Sequence, residues 1–125
     1  LSMINVLVVE DNEVNQKLAS ALLIKKGWSV DVVGNGREAL DILKKSVYDI
    51  ILMDIQMPVL DGMKTTSMIR EYESPKGKRT PIIAMTAYVL KGDRERCLEA
   101  GMDDYIPKPI NPEELYYKIN ALTRK

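Results

Sequence analysis

Three acidic residues stand directly after short apolar runs. Glu10 and Asp11 follow residues 4–9, and Asp54 follows residues 49–53. If these runs are neighbouring parallel strands, all three carboxylates arrive at the same end of the sheet. Clustered carboxylates repel, so each would have its pKa raised unless a cation sits among them. The chain has no histidine and a single cysteine, Cys97, which leaves oxygen ligands and therefore a hard cation. Mg²⁺ suits such a site, with Mn²⁺ able to substitute. A carboxylate beside the cation is also a nucleophile toward phosphorus and forms an acyl phosphate. Asp54 is the candidate nucleophile. The cation and an ammonium would neutralise the phosphoryl oxygens as charge shifts in the transition state. Thr86 and Lys108, each placed after a later apolar run, supply a hydroxyl and an ammonium.

Positioning these groups requires a repeated strand–helix pattern, and the chain has one. Residues 4–9, 29–33, 49–53, 81–85 and 105–106 read as strands. Val14, Leu18, Ala21 and Leu22 recur at helical spacing before Gly27. Asn35 with Glu38 forms a capping box ahead of Ala39, Leu40 and Leu43. Asp61 caps a third helix, and a fourth runs from about 89 to 100, ending at Gly101. Asn111-Pro112-Glu113-Glu114 opens the fifth with a cap and a proline in its first turn. Five βα units imply an α/β domain with a doubly wound parallel sheet. Strands one, three and four are nearly all apolar, as central strands are. Strand two alternates and strand five is short, as edges are. The order 2-1-3-4-5 follows, with right-handed crossovers, and the ligand site falls at the switch between strands one and three.

Each residue also has an ordinary reading. Asp11 or Asn12 would cap the first helix, and Asp54 would be a turn residue. Thr86 would satisfy strand-end backbone, and Lys108 would be a solvated charge. These readings fail jointly, because four of the five strands deliver a suitable group to one rim. Glu10 has the weakest individual case. Cys97 and the seven methionines are read as packing in a core that lacks phenylalanine. The basic run Lys76, Lys78 and Arg79 is read as a solvated loop away from the acidic rim.

Lys+Arg and Asp+Glu are both 18, so no basic excess marks a general nucleic-acid binder. No apolar run approaches the ~20 residues that span a bilayer. The 125 residues suit a single domain over 1–125.

With these residues in order, the sequence resembles the receiver domains of two-component response regulators over about residues 4–122. The carried positions are Glu10 and Asp11, Asp54, Thr86, and Lys108 of Lys108-Pro109. Met57-Pro58, Asp61-Gly62 and the segment from Ala100 to Tyr105 also match. The motif at 9–15, Val-Glu-Asp-Asn-Glu-Val-Asn, and that at 83–87, Ile-Ala-Met-Thr-Ala, are similar to receivers fused to hybrid histidine kinases. The resemblance implies a flavodoxin-like (βα)₅ fold. It implies a phosphorelay function, in which a histidine kinase or histidine phosphotransfer protein donates a phosphoryl group to Asp54. Asp11, Asp54 and the backbone carbonyl of Gln56 would hold Mg²⁺, with Glu10 acting through water. Thr86 and Tyr105 would be the switch residues, altering the face of helix four, strand five and helix five. Lys108 would be aimed at Asp54 by a cis Lys108–Pro109 bond, an isomer that X–Pro peptides adopt at modest cost. The domain would catalyse its own phosphorylation and dephosphorylation, within a parent chain such as a hybrid kinase. It would be cytoplasmic, a monomer or weak dimer, and without direct nucleic-acid or membrane contact.

Three rivals are separable. An aspartyl-nucleophile phosphatase of the haloacid dehalogenase type has a second Asp two residues after the first, and here that position is Gln56. A flavodoxin-like cofactor binder needs a first loop that cradles phosphate, which Glu10, Asp11 and Glu13 would repel. A pseudo-receiver would keep the fold without phosphorylation. For donor docking, Asn12, Val14, Asn15, Leu18 and Pro109 are the candidates, and the spacing leaves Val14 and Leu18 open between core and surface.

Overall fold

The computed structural model describes residues 3–55, 61–87 and 93–124. Along the chain run β1 (Asn5–Val9), α1 (Glu13–Lys25), β2 (Ser29–Val33), α2 (Gly36–Leu43), β3 (Ile50–Asp54) and α3 (Gly62–Glu73). A 3₁₀ turn (Ser74–Lys76) follows, then β4 (Ile82–Thr86), α4 (Asp93–Ala100), β5 (Asp104–Pro107) and α5 (Pro112–Thr123). All strand pairs are parallel, in the order β2-β1-β3-β4-β5. The expected order therefore holds, and so does its reason. β3 and β4 are buried at every position, whereas β2 at the sheet edge has no buried residue; its alternation breaks at Val32, which is exposed like Asp31 before it.

Strand alternation sorts the core into two layers. Leu7, Val9, Ile51, Met53, Ile82 and Ala84 face α2, α3 and α4, where they meet Ala39, Leu40, Ile69 and Cys97. Val6, Val8, Ile50, Leu52, Ile83 and Met85 face α1 and α5, where they meet Ala19, Leu23, Leu115 and Ile119. α1 thus buries Ala19 and Leu23, while Val14 and Leu18 are 73% and 45% exposed.

Local side chains set the helix starts. Asn12, Asn35, Asp61 and Asn111 each accept a hydrogen bond from the backbone N–H three residues on. Because Asn12 caps α1, Asp11 is free of that task. The Glu38 carboxylate reaches back to the Gly34 N–H, closing the expected capping box one residue further upstream. Residues 89–92 of the fourth expected helix lie outside the described residues, and α4 begins at Asp93. The Lys108–Pro109 peptide bond is cis, as expected.

Tyr48, buried just before β3, donates a 2.6 Å hydrogen bond to Asp31 on β2. Burial, then the hydrogen bond and negative charge of Asp31, push its phenol up to about 12 from 10.0. The folded state therefore holds the proton more tightly than the unfolded chain. The resulting stability is intact below pH 10 and is lost as pH rises from 10 through 12. Tyr48→Phe is expected to cost about 1 kcal/mol at neutral pH, the worth of one hydrogen bond. In urea titrations across pH, that gap should close and then reverse between pH 10 and 12, since Phe has nothing to ionise.

Candidate functional site

The register of the sheet brings the expected residues together. Val9 pairs with Met53, so the next residues, Glu10 and Asp54, emerge side by side. Asp54 pairs with Met85 and Thr86 with Pro107, which places Thr86 and then Lys108 along the same rim. The Lys108 N–H donates to the Thr86 carbonyl at 2.7 Å and joins the ends of the last two strands.

Glu10, Asp11 and Asp54 each place a carboxylate oxygen within 4.8 Å of the others. Glu10 and Asp54 are buried at 1% and 3% exposure, and Asp11 is open to solvent. Lys108 reaches into this cluster, with Nζ 2.8 Å from Glu10 Oε1 and 3.6 Å from Asp54 Oδ2. It therefore sits closer to Glu10 than to Asp54, the partner the sequence suggested. Burial raises the Glu10 pKa. Hydrogen bonds with Asp54, Lys108 and the Asn12 N–H, together with the Lys108 charge, outweigh it and hold the carboxyl below its ordinary value. Glu10, the weakest candidate by sequence, is thus firmly held by Lys108 and the Asn12 N–H. A buried pair of carboxylates and an open third one form an oxygen-only donor set that fits a hard divalent cation, with the Lys108 ammonium beside it.

Thr86 is buried at the end of β4, and Tyr105 on β5 is half-buried against the α2–α4 layer. Lys118 from α5 donates to the Tyr105 carbonyl at 2.6 Å and lies 5.1 Å from its ring centre. Gln56, Met57 and Pro58 lie outside the described residues, so the expected Gln56 carbonyl ligand has no described position. The basic run is not simply solvated: Arg79 bonds Asp103 at 3.0 Å and the Gly101 carbonyl at 3.2 Å.

Two residues at the site carry roles that sequence reasoning missed. Gly62, first in α3, lies against the end of β3. A Cβ there would meet the Asp54 carbonyl oxygen at 2.5 Å and Ile55 Cα at 2.6 Å, both backbone atoms with little room to move. Gln16 donates from Nε2 to the Glu10 carbonyl at 2.6 Å. A glycine after Asp61 and an amide one turn into α1 were the available signals, and neither reveals a contact so distant in function.

Fold and rim together define a doubly wound α/β domain with an acidic cluster and a lysine beyond its central strands. The model of the response regulator receiver domain family matches residues 6–120, and the chain belongs to that family. Among curated relatives, hybrid signal transduction histidine kinase I of Dictyostelium discoideum is 52% identical over 121 residues, covering 93% of this chain and 7% of the relative. The signal transduction histidine-protein kinase BarA of Escherichia coli K12 is 41% identical over 111 residues, covering 89% and 12%. The chain thus spans a small fraction of these relatives' length. Among solved structures, the receiver domain of the sensor histidine kinase PA1611 of Pseudomonas aeruginosa, with magnesium coordinated in its active-site cleft, is 43% identical. It superposes with a TM-score of 0.88, covering 99% of this chain and 100% of that one. The receiver domain of Ssk1 from Saccharomyces cerevisiae, crystallised with the histidine phosphotransfer protein Ypd1, is 36% identical with a TM-score of 0.89, covering 97% and 89%. Among the described residues, no helix is long and apolar enough to cross a membrane.

Proposed function

We propose that this receiver domain accepts a phosphoryl group on Asp54 from the phosphohistidine of a kinase or phosphotransfer protein. Mg²⁺ would be held by Asp11, Asp54 and the Gln56 carbonyl, with Glu10 acting through a bound water. The observation that carries this reading is the convergence of three carboxylates with Lys108 on one rim. An Asp54 carboxylate oxygen forms the new bond to phosphorus as the bond to the donor imidazole nitrogen breaks, and that nitrogen keeps the electron pair. Bound Mg²⁺ supplies positive charge for the phosphoryl oxygens. Lys108, already within 3.6 Å of Asp54, is placed to bond one of those oxygens. Thr86, at the end of the next strand, donates to another, and Tyr105 shifts with it to alter the α4–β5–α5 face. Such a switch needs two states separated by only a few kcal/mol. The parent protein would be a hybrid kinase, with this domain in the cytoplasm.

Thermal melts test the cation. At a hundredfold excess over Kd, Mg²⁺ is expected to add about 2.7 kcal/mol of stability. An unchanged melt in millimolar Mg²⁺ and in Mn²⁺ alike would contradict the reading.

The donor would dock on the start of α1 and the loop after β5. Val14 and Leu18 are exposed there, and a cavity of about 50 Å³ is lined by Glu10, Asn15, Leu18, Lys108, Pro109 and Ile110. An exposed apolar patch rimmed by polar groups suits a transient protein partner. Alanine at Asn15 and Pro109 is expected to slow transfer from a protein donor while labelling by acetyl phosphate stays near wild type. Equal losses with both donors would instead assign these residues to the chemistry or the fold.

A further inference from the structure

Asp11 is the exposed member of the acidic cluster, and among the described residues its carboxylate has no hydrogen-bond or ion-pair partner. Its neighbours are differently placed: Glu10 is held by Lys108 and the Asn12 N–H. The position of the Asp11 carboxylate therefore depends on the backbone of the corner between β1 and α1. That corner is closed from one side by the Glu10 N–H, which donates to the Val33 carbonyl of β2 at 3.1 Å. From the other side it is closed by Gln16. The Gln16 side chain donates to the Glu10 carbonyl at 2.6 Å, and its N–H donates to the Asn12 carbonyl at 2.9 Å. The two carbonyls that bracket Asp11 are thus both tied to one residue of α1.

We propose that Gln16 is a positioning residue for cation binding: its side-chain amide fixes the Glu10–Asp11 corner so that Asp11 stands over the buried pair Glu10 and Asp54. The inference rests on the cation-binding reading above and extends it to a residue outside the carboxylate set. Removing the amide frees the corner, and cation binding must then order it. A single hydrogen bond sets the scale, an affinity loss of about two- to tenfold.

The test is a Mg²⁺ titration followed by backbone amide shifts in wild type, Gln16→Met and Gln16→Ala, with a melt of each variant as a check on folding. Met keeps the length and lacks the donor. Ala lacks the donor and the bulk, and neither variant changes the charge of the cluster. Positioning by the amide requires both variants to bind Mg²⁺ more weakly than wild type. If Met does not fold, the affinity of Ala decides alone. Wild-type affinity in a folded Met variant, or in Ala where Met does not fold, overturns the proposal while leaving the cation site intact. Absence of Mg²⁺ binding in wild type overturns the cation-binding reading and this inference with it.

Discussion

Asp54→Asn is expected to lose all labelling by acetyl phosphate and all binding of beryllofluoride, while remaining folded. The amide nitrogen's lone pair is delocalised into the carbonyl and the side chain carries no negative charge, so neither atom attacks phosphorus as the carboxylate does. Shape is kept, which matters because residue 54 is 3% exposed and its backbone lies against α3. Electrostatics favour the folded variant too. The Asn amide can still hydrogen-bond the Glu10 carboxylate, and Lys108 keeps its 2.8 Å pairing with Glu10. Intact mass after acetyl phosphate treatment reads the labelling, and a urea titration shows whether the fold survives. Persistent phosphorylation of folded Asp54→Asn would place the acceptor elsewhere and remove the central claim. Loss of labelling together with unfolding would be separated by Asp54→Ala, which leaves no amide to misplace.

The parts of the fold legible in the sequence were those written in local chemistry. Asn35, Asp61 and Asn111 announce helix starts because each bond they make spans three residues. The strand order was legible because β3 and β4, buried on both faces, are apolar up to their last residues, Asp54 and Thr86, whereas the edge strand carries Ser29 and Asp31 within it. The site was legible because parallel strands deliver the residues after their ends to one rim. The facing of α1 was not. Val14 and Leu18 share helical spacing with one another, as Ala19 and Leu23 do, and periodicity does not say which stripe meets the sheet. Nor was Lys108 assigned to Glu10, since a lysine that reaches a rim of three carboxylates has no sequence mark of which it will touch. Side-chain contacts between distant segments away from the rim were not visible, and among the described residues a large group of these surrounds Arg70.

Arg70→Met is expected to destabilise the domain by about 3–5 kcal/mol, the usual cost of leaving a buried charge unpaired. Arg70 lies on α3 at the end of the sheet away from the acidic rim, and its side chain is 16% exposed. Its guanidinium has its donors engaged. Nη1 bonds Glu73 Oε1 at 2.8 Å and the Thr80 carbonyl at 2.7 Å. Nε and Nη2 bond the Gly101 carbonyl at 3.0 and 2.8 Å, and Nη2 also meets Asp103 at 3.1 Å. One side chain thus joins α3, the entry to β4 and the turn between α4 and β5. That turn needs Gly101, whose φ of 108° disfavours other residues and whose added Cβ would press on Arg70 Cγ at 3.0 Å. Methionine keeps the apolar stem but leaves Glu73, 3% exposed, with the Thr80 N–H at 3.0 Å as its remaining described partner. Arg79 softens the loss at Gly101 and Asp103, which it also bonds, and does nothing for Glu73. The double variant Arg70→Met/Glu73→Gln is therefore expected to recover part of the loss, because glutamine can still accept the Thr80 N–H without a stranded charge. Urea titrations of the two single variants and the double one measure this coupling. A loss below about 1 kcal/mol in Arg70→Met, or no recovery in the double variant, would show that the network is not the strong fastening its geometry implies.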